Sequence, residues 1–278
     1  MKHRKLTVNQ KHDGKTLQDY LALILDISRN RAKALIDSRS VFVERRPVWM
    51  AKHVLIAGDT IDLPEDLDTK QPAPSKLYIL FADSNFIIVD KPAGMISNGA
   101  KSVESLLKTQ LETEKVMAVH RLDKDTTGCM LFAKSKEAFD SMVVLFKERD
   151  VKKRYEAIVY GRIHDQARRI NSPIEGLSAD TFIEKIDANE SATHLKVLID
   201  TGRTHQIRLH MVAIRHPILG DREYGLKQLN DPRAMTIPRQ MLHSVSLSFK
   251  SPIDDKIIKV RAPLPADFRK CLTMYGLR

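Results

Sequence analysis

Val119-His120-Arg121-Leu122-Asp123-Lys124-Asp125-Thr126-Thr127-Gly128 gathers two carboxylates, an arginine, a lysine, a histidine and two hydroxyls into ten residues. The apolar run Cys129-Met130-Leu131-Phe132-Ala133 follows directly. So dense a polar segment, ending on strand-like sequence, reads as a loop at the edge of a buried sheet, where reactive side chains gain a rigid support. A plain turn whose Asp and Thr groups satisfy their own backbone fits the composition too. The surroundings must choose between them.

Upstream, Leu77–Phe81 and Phe86–Val89 are short apolar strands about an Ala82-Asp83-Ser84-Asn85 turn. Asp90-Lys91-Pro92-Ala93-Gly94-Met95 then breaks the sheet, and residues 102–111 predict a helix leading to the loop. Downstream, residues 129–134 predict a strand. Ser135 should cap a helix that buries Ala138, Phe139, Met142, Val143 and Phe146. Lys152-Lys153-Arg154-Tyr155-Glu156-Ala157-Ile158-Val159-Tyr160-Gly161 alternates as a strand. A third polar stretch is Ile199-Asp200-Thr201-Gly202-Arg203-Thr204-His205-Gln206-Ile207-Arg208-Leu209-His210-Met211. Leu195, Val197 and Ile199 alternate ahead of it, Thr201-Gly202 turns, and Thr204 is the expected cap of a helix carrying Ile207, Met211 and Ile214 on one face.

Three of these stretches together resemble the RluA family of RNA pseudouridine synthases: His120 to Gly128, Lys153 to Ala157, and Thr201 to His210. Lys91-Pro92-Ala93-Gly94, His216-Pro217-Ile218-Leu219-Gly220-Asp221 with Tyr224-Gly225, and Arg239-Gln240-Met241-Leu242-His243 extend the likeness from about Leu77 to Leu264. Two positions depart from the family's usual wording: Thr127 stands for Ser, and Asn98 for a His. The resemblance implies an α+β fold, a bent, mixed, largely antiparallel sheet flanked by helices with the site in a cleft across it. It implies isomerisation of uridine to pseudouridine in structured RNA, ribosomal or transfer, with Asp123 as the catalytic aspartate. Tyr155 is then expected on the target base, where stacking contributes ~1–3 kcal/mol, and Arg208 on the Asp123 carboxylate. Arg121 would enter or brace the stack that a flipped nucleotide leaves. His120, Arg203 and His205 are also expected on the RNA.

Residues 13–63 read as a separate module. Leu17, Tyr20, Leu21 and Ile24 fall at helical spacing, and a second helix from Ser28 buries Ala32, Leu35 and Ile36 while projecting Arg29, Arg31 and Lys33. Val41-Phe42-Val43 and Thr60-Ile61-Asp62-Leu63 are short strands. From Ser28 to Lys52 seven Lys or Arg stand against two acids, an excess of five. A basic face often serves only solubility. Two helices, the second basic, with a Val-x-Val strand and a Gly-Asp turn, nonetheless resemble the alpha-L RNA-binding module named from a ribosomal protein. That resemblance places Arg29, Arg31 and Lys33 on RNA. The turn after Val43, usually Asn-Gly, is Glu44-Arg45-Arg46-Pro47 here. Residues 64–76, with three prolines and a run of acids, predict an extended linker. The catalytic domain is then residues 77–278.

A net charge of +11 and a pI near 9.6 fit a polyanionic partner, nucleic acid ahead of an anionic membrane surface. Cys129 and Cys271 form neither a metal spacing nor a disulfide framework, which points to a reducing cytoplasm. The basic start Met1-Lys2-His3-Arg4-Lys5 is followed by no apolar signal region, and no run approaches the ~20 apolar residues of a membrane helix. Asp123-x-Asp125-x-Thr127-Gly128 hints at a calcium loop but has Lys134 where the closing Glu belongs. His205 and His210 are five apart, not the four of a helical zinc pair. No phosphate loop or dinucleotide fingerprint occurs. The expectation is therefore a monomer that needs no metal and no cofactor. A same-fold RNA-binding factor without activity is the second reading; joint retention of Asp123, Tyr155 and Arg208 favours the enzyme.

Overall fold

The computed structural model describes residues 3–27, 29–37, 41–64, 76–225 and 231–278. Ser28, where the second helix is expected to start, the side chain of Arg31 and most of the 64–76 linker lie outside the described residues. The chain folds as two compact units, Met1–Gln71 and Pro72–Arg278. Among the described residues no helix is long and apolar enough to cross a membrane.

In the first unit, β1 (His3–Thr7), α1 (Leu17–Ile24), α2 (Arg29–Asp37), β2 (Phe42–Val43), β3 (Arg46–Pro47) and β4 (Thr60–Pro64) follow in order. Thr16 caps α1 by accepting the Asp19 amide, as its hydroxyl suits it to do. Leu17, Tyr20 and Leu21 of α1 bury against Ala32 and Ile36 of α2 and Val43, Ile61 and Leu63 of the sheet. That sheet runs β1-β4-β2-β3. The unit starts ahead of residue 13, because β1 pairs with β4 from His3↔Pro64 to Thr7↔Thr60. His3 to Thr7 shows little apolar alternation; pairing along its whole length makes it a strand.

The second unit contains β5 (Tyr78–Ala82), β6 (Phe86–Lys91), α3 (Val103–Leu111), β7 (Met117–Ala118), β8 (Thr127–Ala133), α4 (Lys136–Glu148) and β9 (Lys152–Tyr160). Then come β10 (Ala167–Ile170), β11 (Thr181–Ala188), β12 (Ala192–Ile199), α5 (Gln206–Ala213), α6 (Pro232–Met235), β13 (Leu242–Lys250), β14 (Ile257–Arg261) and α7 (Ala266–Tyr275). The sheet order is β10-β11-β12-β9-β13-β8-β6-β5, with β14 on β13 and β7 on β8. Among the described residues only β13 and β8 pair in parallel, at His243↔Thr127 and Ser244↔Gly128. The fold is α+β on a mixed, largely antiparallel sheet.

Both faces of the central strands are buried, and the period of two sorts them. Ile87, Val89, Met130 and Phe132 join one core with Val103, Leu107, Met211 and Phe268 from three helices. Phe86, Ile88, Cys129 and Leu131 join the other with Ala138 and Met142 of α4. Within the expected α4 stripe, Val143 is instead 42% exposed. At 100° per residue it stands about 140° round from Ala138, off the narrow seam that meets the sheet. Gly128 crosses β13 so closely that a Cβ there would stand 2.2 Å from the Ser244 carbonyl oxygen, and its φ is +108°. Only glycine fits this end of the 119–128 stretch.

Candidate active site

Residues 119–126 connect β7 to β8 as irregular backbone, whose peptide groups need partners from outside the loop. Several side chains supply them. Ser97 bonds both the amide and the carbonyl of Leu122, at 2.9 and 2.7 Å. Lys91, fully buried, donates to the carbonyls of Lys124 (2.8 Å), Thr126 (2.9 Å) and Pro92 (2.9 Å). Burial pulls its pKa down to about 7, against the attraction of the Asp125 carboxylate. Arg239 donates to the Asp125 carbonyl at 3.1 Å while Asp267 grips its guanidinium at 2.7 and 2.9 Å. The Thr127 hydroxyl meets His243 Nδ1 at 2.8 Å, so the hydroxyl kept in place of serine has a buried partner. His120 accepts the Leu131 amide at Nε2, 3.0 Å away, and stacks on Phe146. Burial, then the charge of Lys153, lowers its pKa to about 4, which leaves the imidazole free to accept.

Asp123 sits where these supports converge, its side chain 26% exposed to a cleft of about 560 Å³. Arg208 Nη1 donates to Asp123 Oδ2 at 3.3 Å. Arg208 is itself held from behind: Nε and Nη2 donate to the two oxygens of buried Asp221 at 2.7 and 2.9 Å, and Nη2 also to Glu223 at 2.8 Å. A two-point grip of this kind fixes the plane of the guanidinium, and the Tyr224 ring lies 4.7 Å from its carbon. Gln240 Nε2 reaches Thr126 Oγ1 at 3.1 Å and Asp123 Oδ2 at 3.5 Å. His205 Nε2 is 3.8 Å from Asp123 Oδ1, and its Nδ1 meets the Tyr224 hydroxyl at 2.9 Å. Tyr155 lines the same cleft, 6% exposed. Burial first, then the Asp123 charge, pushes its phenol well above the ordinary range.

The structure thus brings Asp123, Tyr155, Arg208, Arg121, Arg203, His120 and His205 to one cleft. Arg121 is exposed there. Arg203 donates to the Ser178 carbonyl. Arg29 and Lys33 belong to the first unit, where each pairs on the surface with a carboxylate, Asp19 at 3.0 Å and Asp37 at 2.7 Å. Thr204 does not cap α5. His205 holds that place in the left-handed region at φ 55°, while Gln206 folds back to bond Thr201 and the Arg203 amide. Its amide nitrogen reaches Asp180 and Thr181. The buried Gln206 network sets the turn and outweighs the capping preference of threonine. Both ring nitrogens of His210 are occupied, by Thr181 and the Ser172 carbonyl. Sequence reasoning assigned no role to Lys91, Asp221, Gln240 or Arg239. The available signal was a lone charge abutting Pro or Gly at an apolar run, as in Lys91-Pro92 and Gly220-Asp221.

A family profile described as RNA pseudouridylate synthase matches residues 85–213, the span from β6 to the end of α5. Ribosomal large subunit pseudouridine synthase D of Haemophilus ducreyi is 31% identical over 92% of this chain and 89% of its own length. The chain belongs to the RNA pseudouridine synthases. The protein of the same name from Nitrosomonas europaea is 32% identical, over 96% of this chain and 86% of its own. The synthase also shares its fold with the solved human RNA pseudouridylate synthase domain containing 4, at a TM-score of 0.62 and 24% identity over 72% of this chain and 94% of that one. Its activity is the isomerisation of uridine to pseudouridine in RNA.

Proposed function

We propose that this synthase modifies ribosomal RNA of the large subunit, with Asp123 as the catalytic carboxylate. The Haemophilus and Nitrosomonas relatives, both ribosomal large subunit pseudouridine synthases, support that substrate. The observation that carries the site is the Arg208 bond to Asp123, which aims a partly exposed carboxylate into a cleft walled by Tyr155. Isomerisation breaks N1–C1′, turns the base and joins C5 to C1′, without net redox change or hydrolysis. A directed carboxylate can assist cleavage and take the proton. The target atoms are out of reach in stacked RNA, so the nucleotide must be flipped. Arg121, exposed on the cleft rim, suits the vacated stack, and Tyr155 the flipped base. The first unit acts as an RNA-binding module of the alpha-L type. The protein works as a monomer in the cytoplasm, in keeping with two free, buried cysteines.

The test is to map pseudouridines in ribosomal and transfer RNA from cells with the gene, without it, and with Asp123→Asn in its place. Loss of a large-subunit ribosomal site in the deletion and in Asp123→Asn, with RNA affinity of the variant unchanged, is expected. A site lost only from transfer RNA would overturn the substrate assignment, and full modification by Asp123→Asn would overturn the catalytic one.

A further inference from the structure

Lys153 is a largely buried cation that no described carboxylate bonds. The residue is 9% exposed, yet its ammonium makes no hydrogen bond or ion pair with any described residue. Its neighbours are the face of Phe146, 5.6 Å from Nζ to the ring centroid, and Gly202, where a Cβ would stand 3.9 Å from Nζ. Desolvation dominates its electrostatics and lowers its pKa; the exposed Asp200 opposes this and Arg149 adds to it. The ammonium nitrogen is not among the fully buried unpartnered polar atoms, so it keeps an opening to the cleft, and an anion arriving there offsets the solvation that the buried stem and nitrogen have lost.

The approach is open. Lys153 lines the cleft together with Arg121, Lys147 and Arg149. It stands two residues before Tyr155 on β9, so strand alternation puts both side chains on one face. Gly202 carries no side chain that could cover the ammonium, although its backbone is of ordinary conformation and would accept one. We propose that Lys153, with Phe146 behind it and Gly202 beside it, is a seat for one backbone phosphate of the RNA, next to the nucleotide held against Tyr155. The anion rests on the RNA reading above. A phosphodiester is the chemical class that fits: singly charged, compact, and tethered to a base within one nucleotide's reach.

The experiment uses the full-length protein and a short RNA carrying the mapped uridine, made with ordinary phosphates or with one methylphosphonate, 5′ or 3′ of that uridine. Single-turnover conversion is followed against RNA concentration and salt. Lys153→Met should raise half-saturation about tenfold, as for one charge-assisted bond, and lower the salt slope by roughly 0.7 to 0.9. One of the two methylphosphonates should produce the same loss in the natural protein and no further loss in Lys153→Met. The thermal midpoint of Lys153→Met should rise, since a desolvated charge is gone. Gly202→Val should reproduce the affinity loss with the lysine still present. Additive losses at both phosphates, or unchanged RNA affinity with a lowered midpoint, would make Lys153 a structural residue and overturn the site. A natural protein that converts no uridine overturns the functional reading and this ligand with it; an active one with additive losses overturns the site alone.

Discussion

Arg208 shows how much of a single residue's role lies behind it. Only one of its nitrogens faces Asp123; the other two are spent on Asp221, 1% exposed, and Glu223. Arg208→Met therefore leaves a buried carboxylate without its partner, which typically costs ~3–5 kcal/mol. Urea unfolding should show that loss. Arg208→Met/Asp221→Asn should regain most of the stability while isomerisation stays absent, because Asp123 is still undirected. An active double variant would show that Asp123 needs no aiming. Asp90, at the end of β6, presents a different case: burial raises its pKa to about 6. Between the ordinary value near 4 and this one, the native state keeps a proton the unfolded chain has lost, so stability falls as pH rises through that window. The penalty is absent below about pH 4 and complete above about pH 6. Allowing for its partial exposure, Asp90→Asn should stabilise by about 1–2 kcal/mol at pH 8 and by almost nothing at pH 4. Equal gains at both pH values would show that the carboxylate is not strained by burial.

At the scale of the element, the β2–β3 hairpin is the informative one. Its two-residue turn needs positive φ at both positions, which is why Asn-Gly is favoured there. Here Glu44 and Arg45 hold φ values of 50° and 61°. Glu44 is compensated, its Oε1 accepting from the Thr60 amide at 2.6 Å and hydroxyl at 2.8 Å. Arg45 is exposed, and its side chain makes no such bond to a described residue. Arg45→Gly should raise stability by about 1 kcal/mol and lower the salt slope of RNA binding by roughly 0.7 to 0.9. Thermal unfolding and a salt titration read the two effects separately, and an unchanged slope would take Arg45 off the RNA. The helices were more legible. Ser135 caps α4 as its position foretells, because a cap is a local bond, and Ser102, at the expected start of the helix 102–111, caps α3. The start of α5 was not, because Gln206 reaches 25 residues back, to Thr181.

For the whole molecule, the division of labour between the units is the question. The basic excess from Ser28 to Lys52 lies in the first unit and every cleft residue in the second. If the first unit contacts ~3 phosphates, a fragment starting at Ser75 should show a salt slope lower by roughly 2 to 3. Tethering raises effective concentration, so the fragment should lag most at low enzyme and still convert the mapped uridine at saturation. Identical half-saturation and identical slopes would remove RNA binding from the first unit.

The sequence by itself determined the alternating strands, the local helix caps and the three polar words that hold Asp123, Tyr155 and Arg208. These depend on neighbours a few residues apart, or on side-chain types that one chemistry requires. Only the tertiary structure decided what braces them. Lys91 reaches 33 and 35 residues forward to the Asp123 loop, Arg239 reaches 114 back to it, and Asp221 closes on Arg208 across a turn. Nor could the chain order reveal that Lys153 ends up largely buried and without a bonded carboxylate beside Gly202. Burial and the loss of water are properties of packed neighbours, and they set the strength of every charge in the cleft.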